Sequence, residues 1–176
     1  MDYVDASRAC RNKMAMQVLG DPKLFLPLLE IALQTHSNLG SRACWVVEFA
    51  FKESPELLYP HLDLFTRSLG GLTRSSSIRP MAKICELLML SFYKNTKGNP
   101  PPMTRSQREA ITASCFDWLL NCEKVAPQAY SMQALSLLGQ EFDWIHPELK
   151  AVLEQHYASG SPAYKARARH ILNELS

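Results

Sequence analysis

The sequence lacks the features that would place it in a membrane or export it. No run of about 18 apolar residues occurs, so no segment is predicted to span a bilayer. The first five residues, MDYVD, are acidic and have no apolar stretch of the kind found in secretory signals. We therefore expect a cytoplasmic protein without a membrane partner.

An excess of charge of one sign is lacking as well. The 19 Lys and Arg residues are balanced by 17 Asp and Glu residues, which gives a formal net charge of +2. Both halves of the chain share this balance. The composition therefore does not require a nucleic acid or an anionic lipid surface as partner.

Motifs for nucleotide binding, hydrolysis and metal binding are also absent. The sequence contains no GxxxxGK(S/T), GxGxxG or GxSxG pattern. Its five histidines do not form the HxxxH or HExxH spacings that place two imidazoles on one helix face. We therefore predict no catalytic residue, no metal site and no cofactor.

Cysteine pairs typical of redox or zinc sites are missing. The five cysteines are an odd number, include no CxxC pair and lie within helical patterns. They are predicted to be reduced thiols that pack as small apolar side chains.

Strand patterns are almost absent, whereas signals for the start of a helix recur. Pro stands where a first helical residue belongs after Asp21, Ser54, His146 and Ser161, the first, second and fourth of which are predicted N-caps. Thr104 and Gln107 have the spacing of a capping box. With the apolar periodicity, these signals predict nine helices, roughly over 3–19, 22–35, 40–53, 55–69, 77–94, 105–121, 125–140, 147–158 and 162–175.

One segment interrupts the helices. Residues 94–103 contain Pro100, Pro101 and Pro102, which cannot continue a helix. We predict an irregular loop insertion at 94–103 within a single domain over 1–176.

The chain also repeats itself. The tetrapeptide SRAC at 7–10 recurs at 41–44, and DPKLFLP at 21–27 is echoed by SPELLYP at 54–60. Two segments that repeat together at one spacing indicate stacked antiparallel helix pairs. The repeat extends to all the odd-numbered helices when their first turns are aligned on Arg8, Arg42, Arg79, Gln128 and Lys165.

The helix over 40–53 is predicted to be central and buried. Apolar side chains occupy nearly all of its faces. Glu48 and Lys52 lie four residues apart on it and are predicted to form an ion pair.

The repeat resembles HEAT-type α-solenoids in its helix pairs of similar length, its basic and small residues early in one helix, and its Pro-led partner helix. The resemblance implies an all-α, right-handed α-α superhelix of the HEAT/armadillo type. It also implies a non-catalytic scaffold that binds another macromolecule through one face. A protein is the first choice for that partner.

Segments such as 42–51, 142–150 and 165–172 also resemble a group of uncharacterised short bacterial proteins. Some of those proteins carry the name adenylosuccinate lyase, so that resemblance implies a lyase as a remote alternative. The lyase loop has the pattern SSxMPxKxN, and residues 76–83 of this chain match it only in part. The same residues are accounted for as the start of a helix.

Trp144 is a candidate binding residue because the tripeptide FDW occurs twice, at 116–118 and 142–144. Two aromatic platforms with carboxylates are able to bind a base or a cation. The structural interpretation is that the first copy packs in the core. In the second copy, Trp144 would fill a joint between helices and Asp143 would cap the next helix.

The densest basic cluster lies near the C-terminus, at Lys165, Arg167 and Arg169. It resembles the phosphate-binding edge of HEAT-like DNA alkylation-repair glycosylases, and binding of nucleic acid there is the alternative function. The structural interpretation is a solvated face with basic residues favourably placed near a helix C-terminus. Arg79, in the repeated basic position, is a further candidate binding residue.

Overall fold

The chain is all-α throughout the residues that the computed structural model describes, which are 7–34, 38–94 and 100–175. This confirms the predicted fold class, and the packing of the helices is consistent with a helical superhelix. The described residues form nine α-helices and no strand. The helices are α1 (Arg8–Gly20), α2 (Phe25–Ala32), α3 (Asn38–Glu53), α4 (Leu62–Ser68), α5 (Ser75–Lys94), α6 (Arg105–Asn121), α7 (Val125–Leu138), α8 (Ile145–Tyr157) and α9 (Pro162–Glu174).

Two layers of helices enclose the core. The odd-numbered helices lie side by side in chain order, with α5 packed between α3 and α7; we call them the odd layer. On one side of this layer α2 packs against α3, α6 against α4 and α7, and α8 against α7 and α9. The buried apolar side chains form one continuous cluster between the layers. The opposite face of the odd layer is therefore its outer face.

Local capping explains several helix ends. The Thr104 hydroxyl accepts a hydrogen bond from the Gln107 N–H, and the Thr104 N–H donates to the Gln107 side chain, which confirms the predicted capping box. Ser161 and Asp21 also accept backbone N–H groups as predicted. Ser7 accepts the Cys10 N–H in the same way, so α1 begins at Arg8. The predicted start at residue 3 lies outside the described residues, but a helix through Ser7 is wrong because Ser7 is extended.

Prolines break two of the predicted helices. The helix over 22–35 begins as a 3-10 turn, Pro22–Leu24, before α2, and its predicted end at 35 lies outside the described residues. A continuous helix over 55–69 is wrong, since two 3-10 turns, Pro55–Leu57 and Tyr59–His61, precede α4. Pro60 has no N–H and cannot donate the hydrogen bond that a continuous α-helix would need at that position, whereas Pro55 stands at the first position, where no donor is needed. Ser54 does not cap this segment; its hydroxyl donates to the Glu56 carboxylate instead.

Pro80 lies inside α5, which begins at Ser75, two residues before its predicted start. Because Pro80 has no N–H, the carbonyl of Ser76, one helical turn earlier, has no intrahelical donor. The indole Nε1–H of Trp45 on α3 donates to that carbonyl at 3.0 Å. The Trp45 side chain on α3 therefore supplies the hydrogen-bond donor that Pro80 on α5 lacks.

Helix α8 also begins two residues before its predicted start. It begins at Ile145, so Pro147 is its third residue and not its first. Of the loop predicted at 94–103, residues 95–99 lie outside the described residues, and residues 100–104 are not helical.

The central position of α3 and the state of the thiols follow the predictions. Most side chains of α3 are buried, although Trp45 and Phe49 are only half-buried. All five cysteines are reduced, and all except the half-buried Cys10 are buried. Burial raises the pKa of the Cys44 thiol to about 12, and this thiol donates to the carbonyl of Ala32 at 3.1 Å.

Candidate functional site

Basic side chains cross the outer face of the odd layer. We call the set Arg11, Lys52, Arg79, Lys83 and Arg167 the cation row. Its members come from α1, α3, α5 and α9, and their contacts bridge each pair of neighbouring helices in the odd layer. The row was not visible as a cluster in the sequence because its members are spread from position 11 to position 167.

A groove of about 690 Å³ lies where α1, α3 and α5 meet. Three members of the cation row line it, together with Ala9, Asn12, Glu48, Phe49 and Glu53. The groove therefore has an apolar ring and three cations along its walls.

Glu48 lies beneath the cations of this groove and holds two of them. Its side chain is 1% exposed, and it forms ion pairs with Lys52 on the same helix and with Arg79 on α5, the latter at 2.9 Å. The predicted pair of Glu48 and Lys52 is confirmed. Lys52 and Arg79 remain 38% and 39% exposed, so a buried carboxylate fixes two cations that still face solvent.

Aromatic rings support the same cations from the side. The Arg11 guanidinium lies over the ring of Phe49 at 5.1 Å and over that of Trp45 at 5.8 Å. The Lys52 ammonium lies 5.6 Å from the centre of the Phe49 ring. These cation–π contacts hold the charged groups against α3 without neutralising them.

The arrangement of a cation over a buried carboxylate recurs further along the layer. Lys83 on α5 pairs with Glu86, whose side chain is 5% exposed, and lies 4.8 Å from the ring centre of Tyr130 on α7. Arg167 on α9 donates to the Gln133 side chain of α7 at 3.3 Å. It also lines an open groove of about 690 Å³ between α7 and α9, whose walls are mainly alanines.

The electrostatic result is a face on which the carboxylates that pair with the cation row are covered, whereas the cations remain in part exposed. Glu48 and Glu86 are both buried below the cations that they bind. Glu53 is an exposed carboxylate at the edge of the first groove. The groups that a partner would meet first are therefore the guanidinium and ammonium groups.

The C-terminal cluster predicted from the sequence is divided in the structure. Arg167 is directed to α7, whereas Arg169 donates to the Tyr157 hydroxyl of α8 at 3.2 and 3.0 Å. Lys165 is half-buried. The two arginines thus lie on different sides of α9, and only Arg167 belongs to the cation row.

The two FDW tripeptides meet in space, which the sequence did not reveal. Trp118 is buried as predicted, but Trp144 does not fill the joint before α8: it is 55% exposed, and Phe142 is buried there instead. The Trp144 ring stacks on Phe116 with ring centres 5.6 Å apart. The predicted cap by Asp143 is also wrong, because α8 has Trp144 as its N-cap residue and no side-chain cap.

The segment 76–83 that partly matches the lyase loop is used for packing. The Ser76 hydroxyl donates to that of Ser41 at 2.9 Å, and the hydroxyls of Ser41 and Ser77 also lie 2.9 Å apart. Arg79 and Lys83 bind the buried carboxylates described above. Residues 76–83 lie in the first half of α5, as predicted for a helix start.

The part of the chain that the structure describes has no group of three or more His, Cys, Asp or Glu side chains placed to hold a metal ion. None of its helices is long and apolar enough to cross a membrane. No family model, curated protein or solved structure matches this chain.

Proposed function

We propose that this chain is a non-catalytic, HEAT-like helical scaffold that binds an acidic segment of another cytoplasmic protein along the cation row. The observation that carries the proposal is the pairing of partly exposed cations with buried carboxylates, between α5 and α3 for Arg79 and Glu48 and within α5 for Lys83 and Glu86. This arrangement presents positive charge to a partner, although the chain as a whole is nearly neutral.

The geometry favours a ligand with several carboxylates. Arg79 uses one guanidinium nitrogen for Glu48 at 2.9 Å, which leaves its other N–H groups able to donate to a partner. Neighbouring helices lie about 8–10 Å apart, so the row from α1 to α9 spans about 35 Å. An extended peptide of about ten residues covers that distance.

Fixed side chains reduce the cost of binding. Ion pairs and aromatic rings already hold Arg11, Lys52 and Lys83, so less side-chain entropy is lost when a partner binds. Charge complementarity of this kind mainly raises the association rate and selects against basic partners.

Nucleic acid is the second candidate because its phosphates would meet the same cations. Single strands also gain affinity when their bases stack on aromatic rings. On the odd layer, Arg11 lies over Trp45 and Phe49, and Lys83 lies over Tyr130. These ring faces are covered by the chain's own cations, which favours an acidic peptide over a stacked base.

A titration with labelled ligands separates the two functions. The ligands are a Glu/Asp-rich peptide of about ten residues, its Gln/Asn counterpart and a single-stranded oligonucleotide, each measured by fluorescence anisotropy at low salt. We expect saturable binding of the acidic peptide and none of its neutral counterpart. Tighter binding of the oligonucleotide than of the acidic peptide would contradict the first function. Weakening of that binding by the Lys165→Glu and Arg169→Glu double variant, which leaves every member of the cation row in place, would establish the C-terminal edge as a nucleic-acid site.

A further inference from the structure

A second groove, on the side of the molecule away from the cation row, contains an exposed aromatic ring. This groove of about 550 Å³ lies between α6 and the connection from α7 to α8, and we call it the Trp144 groove. Its lining includes Arg105, Glu109, Glu141, Phe142, Asp143 and Trp144. Three of these residues are acidic and one is basic.

Trp144 is held in place although the residue is 55% exposed. Phe116 on α6 stacks under it with an angle of 21° between the ring planes. Trp144 is also the N-cap residue of α8, so its backbone position is fixed by the helix start. An apolar ring that is partly exposed and supported from below is a preformed flat surface.

In the same part of the molecule, two other aromatic rings bind guanidinium groups of the chain itself. Arg105 lies 4.7 Å from the ring centre of Phe142, and its guanidinium pairs with Glu109 at 3.2 Å and with Glu141 at 3.7 Å. In this arrangement a guanidinium stacks on an aromatic ring and pairs with carboxylates beside it.

A second instance lies deeper in the same region. Arg108 lies 4.4 Å from the ring centre of Phe92 and forms two hydrogen bonds to Glu141, at 2.8 and 2.9 Å. The combination of arginine, aromatic ring and carboxylate is therefore used twice within this chain.

Trp144 and Asp143 form a third set of ring and carboxylate, and among the described residues no cation lies over the Trp144 ring. Asp143 is exposed beside the ring, and Glu109 on the opposite wall is 55% exposed. We propose that the Trp144 groove binds an arginine side chain of a partner protein, with the guanidinium stacked on Trp144 and paired with Asp143.

Arginine fits this site better than lysine does. Its planar guanidinium stacks on a flat ring and donates in the plane to a carboxylate, whereas an ammonium group is a compact and strongly hydrated charge. This site is separate from the cation row and does not depend on an acidic partner binding there.

The test uses the three tryptophans of the chain as reporters. Indole N–H resonances of the ¹⁵N-labelled full chain are followed while an arginine-rich peptide is added, with lysine-rich and citrulline-rich peptides of the same length as comparisons. We expect a saturable shift of the Trp144 resonance with arginine, a weaker response to lysine and none to neutral citrulline. An unmoved Trp144 resonance, or an equal response to citrulline, would overturn the proposal.

Three variants complete the test. Trp144→Ala should weaken arginine-peptide binding by about tenfold, while Trp144→Phe, which keeps a flat ring, should retain most of it. Asp143→Asn should weaken binding severalfold, and Glu154→Gln, an exposed acidic position further along α8, should leave it unchanged. Equal affinity of the wild type, Trp144→Ala and Asp143→Asn would also exclude the site.

Discussion

At the scale of single residues, two carboxylates of low exposure, Glu48 and Glu141, are each satisfied by more than one partner. Glu48 binds two cations. Glu141 accepts hydrogen bonds from Arg108 and from the Tyr93 hydroxyl, the latter at 2.7 Å. Taking such charges out of water is costly, and multiple hydrogen bonds offset that cost. These contacts fix the positions of the ions.

Glu141 gives a prediction about the pH dependence of stability. Hydrogen bonds from Arg108, and then from Tyr93, hold the pKa of the Glu141 carboxyl below its usual value. Its stabilising effect is therefore fully present above the unfolded pKa of about 4.3 and is lost as the pH falls through the lower folded value. Glu141→Gln should lower the free energy of unfolding by about 1–2 kcal/mol at pH 7, and the difference from the wild type should shrink towards pH 3.

Urea unfolding at a series of pH values measures this difference. Glu109→Gln is the matched control, since Glu109 is 55% exposed and its pair with Arg105 lies at the surface. The control should change stability by less than about 0.5 kcal/mol at any pH. A difference between Glu141→Gln and the wild type that grows as the pH falls would contradict the assignment.

At the scale of helices, the joints between neighbours depend on close contacts. Gly139 follows α7 directly, and a Cβ atom added there would lie 1.9 Å from Cδ2 of His146 on α8. The Nε2 atom of His146 lies 2.9 Å from the carbonyl oxygen of Ser136 on α7. The histidine ring thus connects α8 to the end of α7 through a space that only glycine leaves open.

Gly139→Ala should therefore destabilise the protein by about 1–3 kcal/mol, because the histidine ring must move and lose its contact. Gly70→Ala is the matched control, since an added Cβ would meet nothing within 4 Å. Thermal unfolding of both variants measures the difference. Equal midpoints for the two variants would show that the joint is not closely packed.

Trp45 and Pro80 provide a second test at this scale. The Trp45 indole replaces the donor that Pro80 lacks, so the two side chains should be energetically coupled. In a double-mutant cycle, Trp45→Phe should lower the free energy of unfolding by about 1 kcal/mol more in the presence of Pro80 than in the Pro80→Ala background. In that background, residue 80 gains a backbone N–H that can donate to the Ser76 carbonyl. The free energy of unfolding of the four proteins gives this coupling, and additive effects would contradict it.

The features predicted correctly from the sequence are those that depend on residues close together in the chain. The capping box at Thr104 and Gln107 and the ion pair of Glu48 and Lys52 involve residues three or four positions apart, and both are present. The break-up of 55–69 was missed because successive prolines favour 3-10 turns over a helix that the apolar pattern also fits. The contact of Arg79 with Glu48 and the stacking of Phe116 on Trp144 depend on how distant helices pack, which no local pattern encodes.

At the scale of the whole molecule, the odd layer converts scattered basic residues into one surface. Arg11 belongs to none of the motifs singled out in the sequence, and Lys83 belongs only to the lyase-like segment 76–83. In the structure both belong to the cation row, on one face of five adjacent helices. The opposite side of the molecule carries the more acidic Trp144 groove.

The affinity of the acidic peptide for two matched double variants tests the central claim most directly. Arg11→Gln with Arg79→Gln removes two charges from the cation row, and Lys124→Gln with Lys150→Gln removes two exposed charges elsewhere. Both variants have the same net charge, and Glu48 keeps Lys52 as a partner in each. Thermal unfolding confirms that both are folded before the titrations.

We predict that anisotropy titrations will give a dissociation constant at least about tenfold higher for the row variant than for the wild type, and a change of less than about twofold for the control. An equal loss of affinity in both variants would mean that net charge alone attracts the peptide. Either that result or unchanged affinity in the row variant would contradict a binding face on the odd layer.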